Sequence, residues 1–199
     1  MGFLVTFEGI DGSGKTTVAK AVHEALAALG RDIVLTGEPT RTWLGDAVRR
    51  GIAEDTDPVT ETFLFLADRQ EHTERIRAWM AAGKTVLCDR YSDSLLAYQG
   101  ARLAGTMEDP LGWLRTLSGK VAIVPDLILL LRIDPTLGLR RIADRDRLVR
   151  FEQAEFLAAV AANYEALARE NPRYRVLEAT RSVEALRDAA IEAIRTLPP

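Results

Sequence analysis

The chain has 199 residues, of which 47% are hydrophobic and 28% charged, as is ordinary for a folded globular protein. The formal net charge of -3 gives no global basic field, so neither nucleic acid nor an anionic membrane is expected as a partner. Cys88 is the only cysteine, which excludes an internal disulfide and suits a reducing, cytoplasmic location; neither a secretory signal nor a membrane-length apolar run is visible.

Short apolar runs alternate with longer amphipathic segments along the chain. The apolar runs predict strands at 3–7, 33–35, 85–88, 127–133 and 174–177. The amphipathic segments predict helices at 16–29, 43–50, 60–82, 92–103, around 113, and at 137–143, 154–170 and 183–196. Such alternation requires crossover connections, so we expect a three-layer α/β fold with a five-stranded parallel sheet. No repeat or linker divides residues 1–199, which we predict to be a single domain.

The turn after the first predicted strand has the form G-x-x-x-x-G-K-[ST], filled by Gly9, Gly14, Lys15 and Thr16. Its glycines let successive backbone N–H groups face phosphate oxygens, beside the positive end of the following helix. In this motif the lysine reaches the β- and γ-phosphates, and the threonine hydroxyl ligates Mg²⁺. The sequence therefore predicts a P-loop kinase that uses MgATP. The ATP-binding residues of the loop are Gly9, Ile10, Asp11, Gly12, Ser13, Gly14, Lys15, Thr16 and Thr17.

A switch GTPase would need an Asn-Lys-x-Asp motif, and none of the lysines follows an asparagine.

Arginines crowd the segment that follows the fourth predicted strand, interleaved with Asp144 and Asp146. One interpretation is a solvated helix with ion pairs such as Arg140–Asp144. The other is a lid at about 141–151 that brings guanidinium groups to the transferring phosphoryl, an effect worth about 10³ to 10⁵ in rate.

Further arginines lie where ligands bind in open α/β sheets. Arg90 follows the third predicted strand, and Arg41 follows the second, so both belong to the carboxyl edge of the sheet. Arg41 suits bidentate capture of an acceptor phosphate. Phe65 and Arg69 are one helical turn apart and could together hold a nucleobase, although ordinary core packing also explains Phe65.

Taken together, these motifs resemble the thymidylate kinase family, which makes dTDP from dTMP and ATP. The resemblance spans almost the whole chain, and its most specific part is the stretch from 89 to 100. The segments that carry it are 7–17, the Glu-Pro loop at 36–40, the helix at 65–69, the signature at 89–100, and 150–153 with Tyr164.

The resemblance implies a role for each matching residue. Phe65 should stack on thymine, Arg69 should bond its O4, and Arg90 should grip the acceptor phosphate with help from Arg41. Tyr98 should pack against the sugar. The implied substrate-binding set is completed by Asp11, Glu38, Pro39, Ser94 and Gln99. Thr16 and Asp89 are the implied metal residues, and the ATP-binding set is completed by Arg141, Thr180 and Arg181.

Family members carry an extra catalytic arginine either in the P-loop or in the lid. Positions 11–13 hold no arginine here, so the chain resembles the lid type. Arg145 and Arg147 are the favoured candidates, with Arg141 and Arg150 behind them. The predicted catalytic set is Lys15, Arg90, Arg145, Arg147 and Asp11. The resemblance also implies a homodimer packed through helices, including the one at 60–82.

Two positions depart from the family pattern: Arg132, mildly, where the family commonly has an acid in the fourth strand, and Leu95. Leu95 follows the signature serine, where the family usually has a small polar residue that bonds the base. A kinase for a different monophosphate or a deoxynucleoside therefore stays open as an alternative, as does a nucleotide-binding regulatory protein with a relict P-loop.

Overall fold

A computed structural model describes residues 2–142 and 150–198, with the side chains of 150–153 outside the description. The strands are β1 (Leu4–Glu8), β2 (Ile33–Gly37), β3 (Thr85–Asp89), β4 (Leu127–Arg132) and β5 (Tyr174–Glu178). The helices are α1 (Lys15–Ala28), α2 (Trp43–Ala53), α3 (Pro58–Ala81), α4 (Ser92–Arg102), α5 (Pro110–Val121), α6 (Pro135–Ile142), α7 (Arg150–Glu170) and α8 (Val183–Arg195).

The strands form one parallel sheet in the order β2-β3-β1-β4-β5. β1 is central, where Thr6 pairs with Cys88 of β3 on one side and with Ile128 of β4 on the other. Every residue of β1 is buried, as expected of a strand covered on both faces. The expected five-stranded α/β architecture is confirmed.

Helices cover both faces of the sheet. α1 packs with α8 on one face, and α3, α4 and α7 pack on the other. β2 and β3 lie on one side of β1, whereas β4 and β5 lie on the other. The loops after the neighbouring strands β1 and β3 therefore lie side by side at the carboxyl edge, where open α/β sheets bind ligands. Among the residues that the structure describes, no helix combines the length and the apolar character needed to cross a membrane.

Several element boundaries differ from the sequence prediction, and two of these differences have identifiable reasons. β2 continues past Leu35 to Gly37 because Thr36 and Gly37 pair with the end of β3. α3 begins at Pro58 because the Asp57 carboxylate accepts hydrogen bonds from the backbone N–H groups of the first turn.

Candidate active site

The loop between β1 and α1 has the backbone that a phosphate cradle requires. Gly9, Gly12 and Gly14 have φ values of 141°, 79° and 88°, which residues with a Cβ rarely adopt. Gly14 caps α1 without a side-chain hydrogen bond, and no acidic residue lies in the first helical turn. The positive end of α1 is therefore available to an anion, as the motif predicts.

Lys15 lies inside this loop. Its Nζ donates to the carbonyl of Ile10 at 2.8 Å, and the residue is buried. Burial, reinforced by the charge of Arg90, lowers the pKa of Lys15 to about 7. An anionic phosphate next to this ammonium would raise that pKa again, because opposite charge favours the protonated form.

Thr16 and Asp89 meet at the mouth of the loop. The Thr16 hydroxyl donates to Asp89 Oδ2 at 2.5 Å, which joins the start of α1 to the end of β3. Asp89 Oδ1 is buried and has no partner among the described residues. A hydroxyl and a free carboxylate oxygen are the kind of donors that Mg²⁺ prefers, so this pair fits the metal role predicted for it.

A cavity of about 580 Å³ opens over the P-loop. Arg141 lies at its rim, where Nη2 donates to the carbonyl of Ala179 at 3.0 Å and Nη1 lies 3.4 Å from the carbonyl of Gly12. Arg181 also lines this cavity, whereas Thr180 is not among its lining residues. Gly9 and Ile10 lie behind the cradle, against β4.

A second cavity, of about 330 Å³, adjoins the first and has a more apolar wall. We call it the acceptor cavity. It brings together residues that are far apart in the sequence, and the predicted ones among them are Asp11, Glu38, Pro39, Phe65, Arg69, Arg90, Ser94, Tyr98 and Gln99. Leu95 also lines this cavity, and it belongs to the hydrophobic core as well.

Asp11 and Arg90 line both cavities and so stand at their junction. Arg90 Nη2 donates to Asp11 Oδ1 at 2.6 Å and to the Tyr98 hydroxyl at 3.2 Å. Although burial opposes it, the cations of Arg90 and Lys15 hold the pKa of Asp11 below its usual value. Arg90 itself has a φ of 67°, a left-handed conformation that directs the chain from β3 into α4.

Arg69 is fully buried in the wall of the acceptor cavity. Its Nε and Nη2 both donate to Glu38 Oε2, at 2.9 and 2.5 Å, while His72 contacts the other Glu38 oxygen at 3.0 Å. Arg69 Nη1 is left without a partner in the part of the chain that the structure describes. A buried, unpaired guanidinium N–H, on a residue that lines the same cavity as Phe65, is a donor suited to a polar atom on a planar ring.

Arg41 does not line the acceptor cavity, but it shares a cavity with two other predicted acceptor residues, Glu38 and Pro39. It lines a neighbouring cavity of about 520 Å³, together with Thr16 and Asp89, and is not among the residues that line the acceptor cavity. The predicted residues Arg145 and Arg147, and the side chain of Arg150, lie outside the described residues.

Sequence reasoning missed several residues of the acceptor cavity. Glu61 and Arg102 form an ion pair in its wall, with Arg102 Nη1 3.3 Å from Glu61 Oε2, and Phe156 of α7 completes the wall. Glu8 lies beneath the cavity and accepts hydrogen bonds from the Ser94 and Tyr164 hydroxyls. An acid at the end of the mostly apolar β1, within the segment 7–17 that carries the family resemblance, was a signal for Glu8, whereas Glu61 resembles any other helix acid.

The chain is similar to known proteins over most of its length. A model of the family described as thymidylate kinase matches residues 7–190. A probable thymidylate kinase of Methanosarcina mazei is 43% identical over 97% of this chain and 95% of its own length. Proteins with the same name from Methanococcoides burtonii and Natronomonas pharaonis are 40% and 41% identical, each over 98% of both chains.

Proposed function

The chain belongs to the thymidylate kinase family, and from that premise we propose how its residues phosphorylate dTMP to dTDP with ATP. The observation that carries the proposal is the junction of the two cavities at Asp11 and Arg90. A phosphoryl donor over the P-loop and an acceptor phosphate beside Arg90 would meet at this junction. Transfer in line from one to the other needs that adjacency.

The wall of the acceptor cavity supports a thymine-sized base. Phe65 offers a ring face for stacking, and the unpaired Nη1 of Arg69 offers a donor for O4 of the base. Tyr98 lies against Arg90, with the guanidinium carbon 4.9 Å from the ring centre, and lines the same cavity. Its ring is the surface on which we propose that the sugar packs. Leu95 offers no hydrogen bond there, so base recognition falls on Arg69 and its neighbours.

In the proposed reaction an oxygen of the acceptor phosphate bonds to the γ-phosphorus of ATP while the bond from that phosphorus to the β–γ bridging oxygen breaks, releasing ADP. The acceptor phosphate is already an anion, so the step requires no general base. Lys15 and Arg90 offset the charge that spreads over the phosphoryl oxygens. Asp11 holds Arg90 in place through the 2.6 Å contact.

Thr16 and Asp89 are proposed to hold Mg²⁺, because their oxygens are close together and Asp89 Oδ1 has no partner among the described residues. When bound there, Mg²⁺ would neutralise charge on the β- and γ-phosphates. Arg41 lines the adjoining cavity together with Thr16 and Asp89, which supports an approach to the phosphates from this metal side rather than through the acceptor cavity.

Two further parts of the proposal rest on the family resemblance. Residues 141–151 act as a lid over ATP, with Arg145 and Arg147 as its catalytic arginines; Arg141, at the start of this segment, is already at the rim of the ATP cavity. The protein is a homodimer that uses the exposed face of α3, where Phe63 is 51% exposed.

Removal of either phosphate-binding cation tests the function directly. Lys15→Ala and Arg90→Ala should each lower kcat for dTMP by roughly 10² or more while the fold survives. Each substitution removes a positive charge that offsets the negative charge on the phosphoryl oxygens in the transition state. Release of ADP with MgATP and dTMP measures the rate, and far-ultraviolet circular dichroism checks the fold. Lys120→Ala and Arg115→Ala, which alter exposed side chains of α5, are the matched controls.

The acceptor is tested with a panel of dTMP, dUMP, UMP, CMP, AMP and nucleosides. We expect dTMP to stimulate ADP release most. A stronger response to another monophosphate would move the function to that acceptor, and no response to any acceptor would favour a nucleotide-binding protein without transferase activity. Near-normal turnover in Lys15→Ala or Arg90→Ala would remove those residues from the mechanism.

A further inference from the structure

Two buried polar side chains face each other in the wall of the acceptor cavity. Gln99 of α4 and Glu61 of α3 are 1% and 3% exposed. Gln99 Nε2 donates to Glu61 Oε1 at 2.5 Å, which ties the two helices together across 38 positions of sequence. The proposed mechanism uses neither Glu61 nor its partner Arg102.

The chemistry of Glu61 dictates which way the Gln99 amide points. An ionised carboxylate only accepts hydrogen bonds, so the amide must turn its NH₂ group towards it. Arg102 Nη1 lies 3.3 Å from the second oxygen of Glu61, and Arg102 Nη2 lies 3.1 Å from Asp55, so the carboxylate is held from its other side. Gln99 Oε1 is thereby left as a buried acceptor with no partner among the described residues.

The same cavity wall holds a complementary free donor, Arg69 Nη1. Thymine and uracil present an acceptor, O4, next to a donor, N3–H, on their pairing edge. Cytosine presents the reverse, an N4 amino donor next to the N3 acceptor. One free donor and one free acceptor in the wall match the first pattern, whereas cytosine would face Arg69 and Gln99 with like groups opposed.

We propose that Glu61, braced by Arg102, is a specificity-determining residue: it locks the amide of Gln99 so that the site accepts thymine or uracil and rejects cytosine. This inference rests on the proposed function, since it concerns the same acceptor site. Glu61 acts through Gln99 and is a positioning residue. Cytosine is rejected because its N4 amino group would be buried opposite the Arg69 donor and its N3 lone pair opposite the Gln99 oxygen, and neither pair can form a hydrogen bond.

The test compares dUMP with dCMP, which share the sugar and phosphate, lack the 5-methyl group and differ only at the pairing edge. In Glu61→Gln the new amide can donate or accept, so Gln99 is free to present its NH₂ to the base. We expect the ratio of kcat/KM for dUMP to that for dCMP to fall about tenfold or more. Glu74→Gln, on the exposed side of α3, should leave the ratio unchanged.

Two further variants address a Glu61→Gln chain that fails to fold. Arg102→Met removes the ion pair that braces Glu61 and should also lower the dUMP to dCMP ratio. Gln99→Met removes the free acceptor and should lower the ratio at least as far as Glu61→Gln does. Melting temperature identifies a variant that has merely lost its fold. An equal loss of activity towards both nucleotides would reduce Glu61 to a structural role and overturn the inference.

Turnover of dTMP by the unaltered protein separates this inference from the proposed function. Without dTMP-stimulated ADP release, the proposed function itself fails. With dTMP turnover intact, a dUMP to dCMP ratio that Glu61→Gln leaves unchanged overturns the inference alone. Equal use of dUMP and dCMP by the unaltered protein would do the same.

Discussion

Glu8 is a buried acid beneath the acceptor cavity, at the end of the central strand. Burial, and then the charge of Asp93, raise its pKa from 4.5 to about 7. A carboxyl group with a higher pKa in the folded chain binds more protons when folded, so it favours folding below about pH 4.5. That contribution is lost as the pH rises to 7 and beyond.

Glu8→Gln should remove this pH dependence. Its carbonyl oxygen can still accept from the Tyr91 N–H, and its NH₂ group can donate to a hydroxyl oxygen of Ser94 or Tyr164. Relative to the unaltered protein, the variant's free energy of unfolding should increase by roughly 2 kcal/mol between about pH 5 and pH 8. Urea denaturation at several pH values measures it.

The control for this prediction is Glu24→Gln, which changes an exposed acid of α1. Its stability relative to the unaltered protein should vary little over the same range. A pH-independent difference for Glu8→Gln would mean that Glu8 is ionised throughout, and that the Asp93 charge and burial do not set its protonation.

α6 and the P-loop approach each other closely at two glycines, Gly138 and Gly12. A Cβ on Gly138 would lie 2.8 Å from the carbonyl oxygen of Asp11, and a Cβ on Gly12 would lie 2.1 Å from the carbonyl oxygen of Gly138. The opposing atoms are backbone atoms, which cannot move aside as the end of a flexible side chain can. Only glycine at both positions therefore lets α6 pack directly against the P-loop.

Gly138→Ala should therefore displace the P-loop. We expect KM for ATP to rise several-fold, and to rise more than KM for dTMP, because the cradle binds the donor. Steady-state kinetics with each substrate varied in turn measures both constants. Gly119→Ala in α5 is the control, since a Cβ there meets nothing within 4 Å and alanine favours a helix. Equal changes in both KM values would show that α6 does not brace the cradle specifically.

Individual elements show what the sequence could predict. The apolar runs of β1 and β4 and the P-loop pattern follow from local residue order, and the signature at 89–100 carries the acceptor residues. The extension of β2 to Gly37 depends on pairing with β3, which local order does not specify. The Glu61–Gln99 contact joins α3 to α4 across 38 positions, and only their packing reveals it.

At the scale of the whole molecule, α3 has two different sides. Its buried side holds Leu66, Arg69 and Ile76, which face the core and the acceptor cavity. Its exposed side carries Phe63, 51% exposed, and continues with Ala67, Gln70 and Glu74. A dimer packed on that exposed side would stiffen the helix that carries Phe65 and Arg69 in the acceptor cavity, so assembly and acceptor binding would be linked through one element.

Phe63→Glu tests this arrangement. If two copies meet across the exposed side of α3, the variant would bury an unpaired carboxylate between them and should sediment as a monomer where the unaltered protein sediments as a dimer. Val124→Glu, at a side chain 65% exposed between α5 and β4, adds the same charge elsewhere and should leave the dimer intact. Sedimentation velocity distinguishes the two masses. A dimeric Phe63→Glu protein would place the interface on another face, and a monomeric unaltered protein would remove the homodimer from the proposal.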